Sequence, residues 1–201
     1  MATKKDNSTF AQKLALRRLM LGQIEHPPVV METHGGLGQL WAKVYAGLPT
    51  GIVFEKDSDR ATFLARQRHT WAVYEGDCVE ALAAGAGAHL EINVLDLDPY
   101  GEPWPAFDAF MTSERPRPSE MWVVVNDGLR GNLRLTGAWN VESMQAAVLE
   151  FGNRIQGQYL EVCRWMIQEK AAQAGYSLDR FAGYYCGIRG NNTHYLARLV
   201  K

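Results

Sequence analysis

The chain has 201 residues, of which 47% are apolar and 21% are charged, which suffices for one compact domain but not for two of ordinary size. Its 21 basic and 22 acidic residues leave a formal net charge of -1. These values exclude a disordered chain and a uniformly basic protein that coats nucleic acid.

The charges are unevenly distributed along the chain. Residues 1–28 and residues 178–201 each carry a net charge of +3, so the segment between them carries -7. If the protein binds nucleic acid, we expect the two basic ends to contact the phosphates, because phosphate contacts are made by positive charge.

The cysteines and the N-terminus bear on the cellular compartment. Cys78, Cys163 and Cys186 are an odd number without C-x-x-C spacing, which predicts neither a disulfide framework nor a zinc site. The first residues lack the apolar core of a secretory signal, and acidic residues interrupt the apolar run near residues 92–97. We therefore predict a cytoplasmic protein with no metal and no membrane contact.

Residues 1–28 are predicted to form a helical lead segment. The sequence Thr9-Phe10-Ala11-Gln12 is typical of a capping box that opens a helix, here ending near Leu21. Lys13 and Arg17 lie one turn apart on this helix, and the two prolines at 27 and 28 end the segment. The main domain is predicted over residues 29–201.

Strands alternate with helices from residue 29 onward. Five apolar runs with little internal alternation predict parallel strands covered on both faces; they span residues 29–33, 51–55, 70–74, 91–97 and 121–126. Helices are predicted at 39–46, from 58, at 79–84, at 140–151 and at 154–174. The runs 181–188 and 195–200 flank a turn-rich connection and predict an antiparallel hairpin. The prediction is a doubly wound α/β fold with seven strands.

Glycines follow the first predicted strand. Gly35, Gly36 and Gly38 stand where the strand gives way to a helix, and there a backbone without side chains can approach an anion or a nucleoside closely. A tight turn before a helix is an equally good interpretation of these glycines alone. Trp41 replaces the third glycine of a dinucleotide fingerprint, and no Gly-Lys-Ser/Thr follows, so neither a dinucleotide site nor a P-loop is predicted.

Acidic residues follow the next three strands. Glu55 at the end of the second strand is placed to bind a ribose diol, and Asp77 is placed either to accept an adenine amino hydrogen or only to cap the next helix. Asp96 and Asp98 point to the same side of the fourth strand. Asp98-Pro99-Tyr100-Gly101 is also typical of a type I turn. Ligands bind at the carboxyl edge of such sheets, which favours a binding site there.

The order of these motifs resembles class I S-adenosylmethionine-dependent methyltransferases over residues 29–200. The run Asp98-Pro99-Tyr100-Gly101 with its flanks looks most like the tRNA guanine N2-dimethyltransferases, and more loosely like the Asp-Pro-Pro-Tyr motif of amino-methylating nucleic-acid enzymes. The resemblance implies a Rossmann-like, mostly parallel sheet closed by an antiparallel hairpin, with S-adenosyl-L-methionine as cofactor.

The resemblance also implies roles for residues. Gly35, Gly36 and Gly38 would pack the methionine and ribose portion of the cofactor, Glu55 would bind the ribose hydroxyls, and Asp77 the adenine amino group. Asp98, the Pro99 carbonyl and Tyr100 would receive the substrate amine. Neighbouring residues are assigned to the cofactor site as well: Glu32, His34, Lys56, Cys78 and Asp96.

Two features depart from the family pattern. His34 stands where the family usually has its first glycine, and over these 201 residues we expect no counterpart of the further C-terminal domain that the tRNA enzymes carry. The leading interpretation is a methyltransferase acting on an exocyclic amino group, with nucleic acid as substrate, bound by the N-terminal helix and the C-terminal hairpin. A small-molecule or protein methyltransferase and a catalytically silent Rossmann-like binding module are the alternatives.

Two further segments are assigned to the surroundings of the site. Trp104 is interpreted as a wall of the substrate pocket and residues 128–139 as a flap over it.

Overall fold

The computed structural model describes residues 9–136 and 141–201. Three features named above therefore lie outside the described residues. They are the basic residues at positions 4 and 5, the end of the predicted flap, and the first residue of the helix predicted at 140–151.

A seven-stranded sheet forms the centre of the molecule. Its strands are, in chain order, β1 Val30–Glu32, β2 Gly51–Glu55, β3 Ala72–Glu75, β4 Val94–Leu97, β5 Glu120–Asp127, β6 Ser177–Cys186 and β7 Asn192–Val200. They are arranged β3-β2-β1-β4-β5-β7-β6. β7 pairs antiparallel with β5 and β6, and the other pairs are parallel. The predicted sheet and its closing hairpin are thus confirmed.

Helices connect the strands. They are α1 Phe10–Leu21, α2 Gln39–Val44, α3 Ser58–Gln67, α4 Cys78–Ala83, α5 Trp104–Thr112, α6 Leu129–Thr136, α7 Gln145–Phe151 and α8 Tyr159–Gln173. Short 3-10 turns occupy Glu142–Met144, Gly152–Arg154 and Ile188–Gly190. Over the described part of the chain, none of these helices has the length and apolar character needed to cross a membrane.

Both faces of the sheet are buried by helices. On one face, alternate strand residues such as Met31, Leu95 and Val123 pack in one hydrophobic cluster with residues of α4, α5 and α8. On the other face, Val94 and Trp122 pack in a second cluster with residues of α1. Full burial of each such side chain stabilises the fold by about 1.5–3 kcal/mol. The nearly unbroken apolar strands follow from this two-sided covering.

The lead helix α1 packs into the fold through Leu16, Arg17 and Met20, which are all buried. The capping bond expected from Thr9 is absent from the described structure, because its backbone (φ -106°, ψ 11°) lies outside the extended region in which N-cap side chains reach back to the helix. Tertiary packing therefore supplies the stability of α1 that the cap was predicted to give.

Trp104 and residues 128–136 differ from the sequence interpretation. Trp104 begins α5, is 1% exposed and stacks on Tyr195 at 6.4 Å between ring centroids, so it belongs to the core and does not wall the pocket. Residues 129–136 form α6, a regular helix packed against β7.

Asp127 caps α6 by accepting the Leu129 N–H at 2.8 Å. Burial raises the pKa of Asp127 to about 6, although it also accepts bonds from Leu129 and Tyr159.

Candidate cofactor and acceptor site

A cavity of about 780 Å³ lies at the carboxyl ends of β1, β2, β3 and β4. Its lining includes eleven of the thirteen residues singled out from the sequence, namely Glu32, His34, Gly35, Gly36, Glu55, Lys56, Asp77, Cys78, Asp98, Pro99 and Tyr100. Gly38 and Asp96 do not line it. Phe10 and Lys13 of α1 line it and were not predicted. The parallel strands bring the strand-end residues together, as expected for this edge of the sheet.

The glycine loop is shaped by two close backbone contacts. The Gly35 N–H donates to the Phe54 carbonyl at 2.8 Å, and a Cβ on Gly35 would lie only 2.5 Å from Leu64. Gly36 has φ +54°, and no atom lies within 4 Å of a Cβ built there. Gly35 therefore allows close packing beneath the loop, whereas Gly36 keeps a bare, left-handed backbone position at the cavity.

His34 occupies the position where the family usually has a glycine. The backbone φ of His34 is not positive, unlike those of Gly36 and Gly38, so its conformation does not require a glycine. The side chain is exposed, and its Nδ1 lies 2.8 Å from the Thr33 hydroxyl oxygen. The loop thus reaches its conformation with histidine at its first position.

Glu55 and Asp77 each accept hydrogen bonds from backbone N–H groups and also line the cavity. The Glu55 carboxylate accepts the Gly36 N–H at 2.7 Å and the Asp57 N–H at 3.0 Å, which ties the end of β2 to the glycine loop. Asp77 accepts the Val79 N–H at 2.8 Å, so it does cap α4, and its side chain also lines the cavity. Burial raises the pKa of the adjacent Cys78 thiol to about 11, which keeps it protonated at neutral pH.

Asp96 is enclosed in a buried ion pair behind the cavity. Its carboxylate accepts the Arg17 Nε–H at 2.6 Å, a second bond from the same guanidinium, and the Tyr45 hydroxyl at 2.8 Å. Burial by itself would lower the pKa of Arg17, but the Asp96 charge raises it above its ordinary value. By accepting these three hydrogen bonds, Asp96 joins α1 to the sheet.

Glu32 forms a second buried ion pair, with Arg68. The Arg68 guanidinium contacts both indole rings of an edge-to-face pair, at 4.9 Å from the Trp41 centroid and 5.2 Å from the Trp71 centroid. Burial raises the pKa of Glu32 to about 7, and Arg68 only partly offsets this. Glu32 therefore lines the cavity with a carboxyl group that Arg68 holds from behind.

The far end of the cavity is built around Asp98. Its Oδ1 accepts two bonds of 2.6 Å, one from Lys13 Nζ and one from Asn126 Nδ2. Tyr100 is 99% exposed beside it. Asn126 was not singled out as a site residue, although it lies near the end of the strand next to β4, where the same strand-end reasoning applies. Lys13 gave no comparable signal, because it lies 85 positions from Asp98 in the sequence.

Comparison with known proteins rests on structure, since no protein-family model and no curated protein matches the sequence. Trm1 from Pyrococcus horikoshii, solved with S-adenosyl-L-methionine, is similar at a TM-score of 0.70 and 13% identity. The alignment covers 99% of this chain and 56% of Trm1, so the chain spans little more than half of that protein.

Two further structures show the same arrangement. TYW2 from M. jannaschii, in complex with AdoMet, has a TM-score of 0.61 at 9% identity, over 100% of this chain and 79% of its own. An O-methyltransferase from Bacillus cereus, in complex with SAH, has a TM-score of 0.62 at 14% identity, over 100% and 84%. The chain has the fold of class I S-adenosylmethionine-dependent methyltransferases. The resemblance inferred from the strand-end motifs is confirmed at the level of fold.

Proposed function

We propose that this protein is an S-adenosyl-L-methionine-dependent methyltransferase that methylates an exocyclic amino group, with nucleic acid as the acceptor. One observation carries the proposal: Glu55, Asp77 and Asp98, which follow three strands of the sheet, line a single cavity together with the glycine loop. The Glu55 and Asp77 carboxylates can accept hydrogen bonds from a nucleoside, and the Asp98 carboxylate can accept them from an amine.

The residues of the cavity fit this cofactor. The bare backbone at Gly36 leaves space for the methionine and ribose portion, and the Glu55 carboxylate beside it would accept the ribose hydroxyls. Asp77 would accept an adenine amino hydrogen, and Glu32 would face the amino group of the methionine portion. His34, Lys56 and Cys78 would complete the walls. The bound sulfonium supplies an electrophilic methyl group.

Asp98 is the group we assign to the acceptor. A primary amine gains positive charge as it attacks carbon, so acceptors for its N–H bonds stabilise the transition state more than the ground state. Lys13 and Asn126 fix the Asp98 carboxylate through one oxygen, and the Pro99 carbonyl offers a second acceptor nearby. The exposed Tyr100 ring would stack on the planar base, which aligns the amine for in-line attack.

Calorimetric titration and labelled methyl transfer test the proposal. S-adenosyl-L-methionine and its demethylated product should bind the wild-type protein, and tritium from the labelled cofactor should reach bulk RNA or DNA. Asp98→Ala should abolish transfer while cofactor affinity stays within a few-fold, and Asp59→Asn, an exposed acid on α3, serves as the matched control.

Three results would contradict parts of the proposal. Absence of cofactor binding would favour the silent binding module. Transfer to a protein or a small molecule alone would exclude the nucleic-acid acceptor. Full turnover by the Asp98→Ala protein would exclude the assigned mechanism.

A further inference from the structure

Three arginines form a basic surface at the tip of the C-terminal hairpin. Arg130 and Arg134 project from α6, and Arg189 lies in the 3-10 turn between β6 and β7. We call these three residues the arginine surface. Arg134 and Arg189 are exposed and Arg130 is half-buried. Within the part of the chain that the structure describes, no carboxylate forms an ion pair with any of them.

The arginine surface is held rigidly by the hairpin tip. Arg130 donates to the Gly190 carbonyl, and its guanidinium lies 4.1 Å from the Tyr185 ring centroid. Arg134 donates to the Arg189 carbonyl at 2.8 Å. Both arginines bond main-chain carbonyl groups, which carry no net charge, so their positive charge is positioned without being neutralised.

The arginine surface adjoins the acceptor end of the cavity. Gly128, which precedes α6, donates its N–H to the Gly101 carbonyl at 3.1 Å, so the first turn of α6 lies directly against the Tyr100–Gly101 turn. The hairpin tip pairs with the carboxyl end of β5, where Thr193 lies opposite Asp127, so the exposed ring of Tyr100 and the arginines lie at the same edge of the sheet. None of the three arginines lines the cavity itself. Planar stacking groups beside uncompensated arginines are the pattern used for single-stranded nucleic acid.

Two of the three basic residues of α1 are unsuited to the same task, and the third, Arg18, is exposed. Arg17 is fully buried against Asp96, and Lys13 is bonded to Asp98 inside the cavity. In the C-terminal basic segment, Arg180 and Arg198 form ion pairs with carboxylates, whereas Arg189 at the hairpin tip forms none among the described residues, and α6 adds Arg130 and Arg134 beside it.

We propose that the arginine surface binds the phosphates of a single-stranded nucleic acid whose unpaired base stacks on Tyr100 at the cavity mouth. This inference rests on the proposed function in taking the stacked base as the one to be methylated, but binding of the strand is measurable without cofactor. A duplex would not serve equally well, because its bases are already stacked on one another and are unavailable to Tyr100.

The test measures binding of a fluorescently labelled single strand of about 20 nucleotides by anisotropy, between about 50 and 200 mM salt and without cofactor. Arg134→Gln/Arg189→Gln should lower the slope of log affinity against log salt by about 1.4, since each phosphate contact on a single strand contributes about 0.7. The matched control, Arg66→Gln/Arg164→Gln, removes the same charge from exposed positions on α3 and α8 and should leave the slope unchanged. Tyr100→Ala should weaken binding about fivefold or more at constant slope.

The outcomes separate this inference from the proposed function. Strand binding that is lost in Arg134→Gln/Arg189→Gln, while calorimetry shows unchanged cofactor affinity, supports the inference. Equal slopes in the two double variants, equal affinity for a duplex of the same length, or no binding at the lowest salt would overturn it. Strand binding without any cofactor binding would overturn the proposed function and leave the arginine surface standing.

Discussion

Removing the guanidinium of Arg17 tests the coupling between the N-terminal helix and the sheet. Arg17 is 0% exposed and Asp96 is 2% exposed, and the guanidinium supplies two of the three bonds that the Asp96 carboxylate accepts. In Arg17→Met, Asp96 keeps only the Tyr45 hydroxyl, and the protein must bury an unpaired charge.

The expected loss is large. Removing one partner of a buried ion pair costs about 3–5 kcal/mol, a substantial share of the roughly 5–15 kcal/mol by which domains are stable. For a chain of this size, the Tm would fall by roughly 10 °C. Arg17→Met and Asp96→Asn should each show this loss in urea unfolding followed by circular dichroism.

The combined variant decides whether the reasoning is correct. Arg17→Met/Asp96→Leu/Tyr45→Phe replaces the whole polar group by apolar side chains of similar size, and it should recover most of the lost stability because no charge or hydroxyl remains buried alone. If the losses simply add in the combined variant, or if Arg17→Met costs less than about 1 kcal/mol, the pair is not a closed buried ion pair of the kind described.

Three more outcomes follow from the site and its surroundings. Gly35→Ala should lower the free energy of unfolding by about 1–3 kcal/mol, because its Cβ would overlap Leu64, whereas Gly36→Ala should mainly weaken cofactor affinity measured by calorimetry. If Gly36→Ala binds cofactor normally, its bare backbone does not contact the ligand. Lys13→Met should reduce kcat roughly tenfold or more in labelled methyl transfer, with cofactor affinity unchanged, because Asp98 loses a positioning bond. Unchanged kcat would exclude that role. The pKa of Asp127 is raised by burial to about 6 from 3.8, so its stabilising proton is bound at low pH and is lost as the pH rises through about 6. The free energy of unfolding should therefore be about 1 kcal/mol higher at about pH 5 than at about pH 8, relative to Asp127→Asn, and equal pH dependence in the two proteins would show that Asp127 titrates normally.

The succession of strands and helices along the chain and the strand-end site were predictable because they depend on local patterns. Apolar runs without alternation mark strands that are covered on both faces, and the topology then brings Glu55, Asp77 and Asp98 to one edge. The same reasoning places the glycine loop. No long-range information is needed for these features, and the structure agrees with each strand to within a few residues at its ends.

The missed features depend on distant contacts. Arg17 reads as a surface residue until Asp96 is placed beside it, and these two lie 79 positions apart in the sequence. The prolines at 103 and 105 obscured α5, although proline is well tolerated in the first turn of a helix. The segment 128–139 has few regular sequence signals and is interpreted from the sequence as a flap, but Gly131 within it allows the hairpin tip to approach α6, where a Cβ would lie 3.1 Å from Asn191.

The cluster of Trp41, Arg68 and Trp71 gives the protein an optical property of its own. The guanidinium lies about equally far from both indole rings and is bonded to Glu32, which lines the cavity. A charge close to an indole ring shifts the energy of its excited state. We therefore expect a ligand that displaces Glu32 to alter the emission of these tryptophans, so that filling of the cavity is measurable by intrinsic fluorescence without a label.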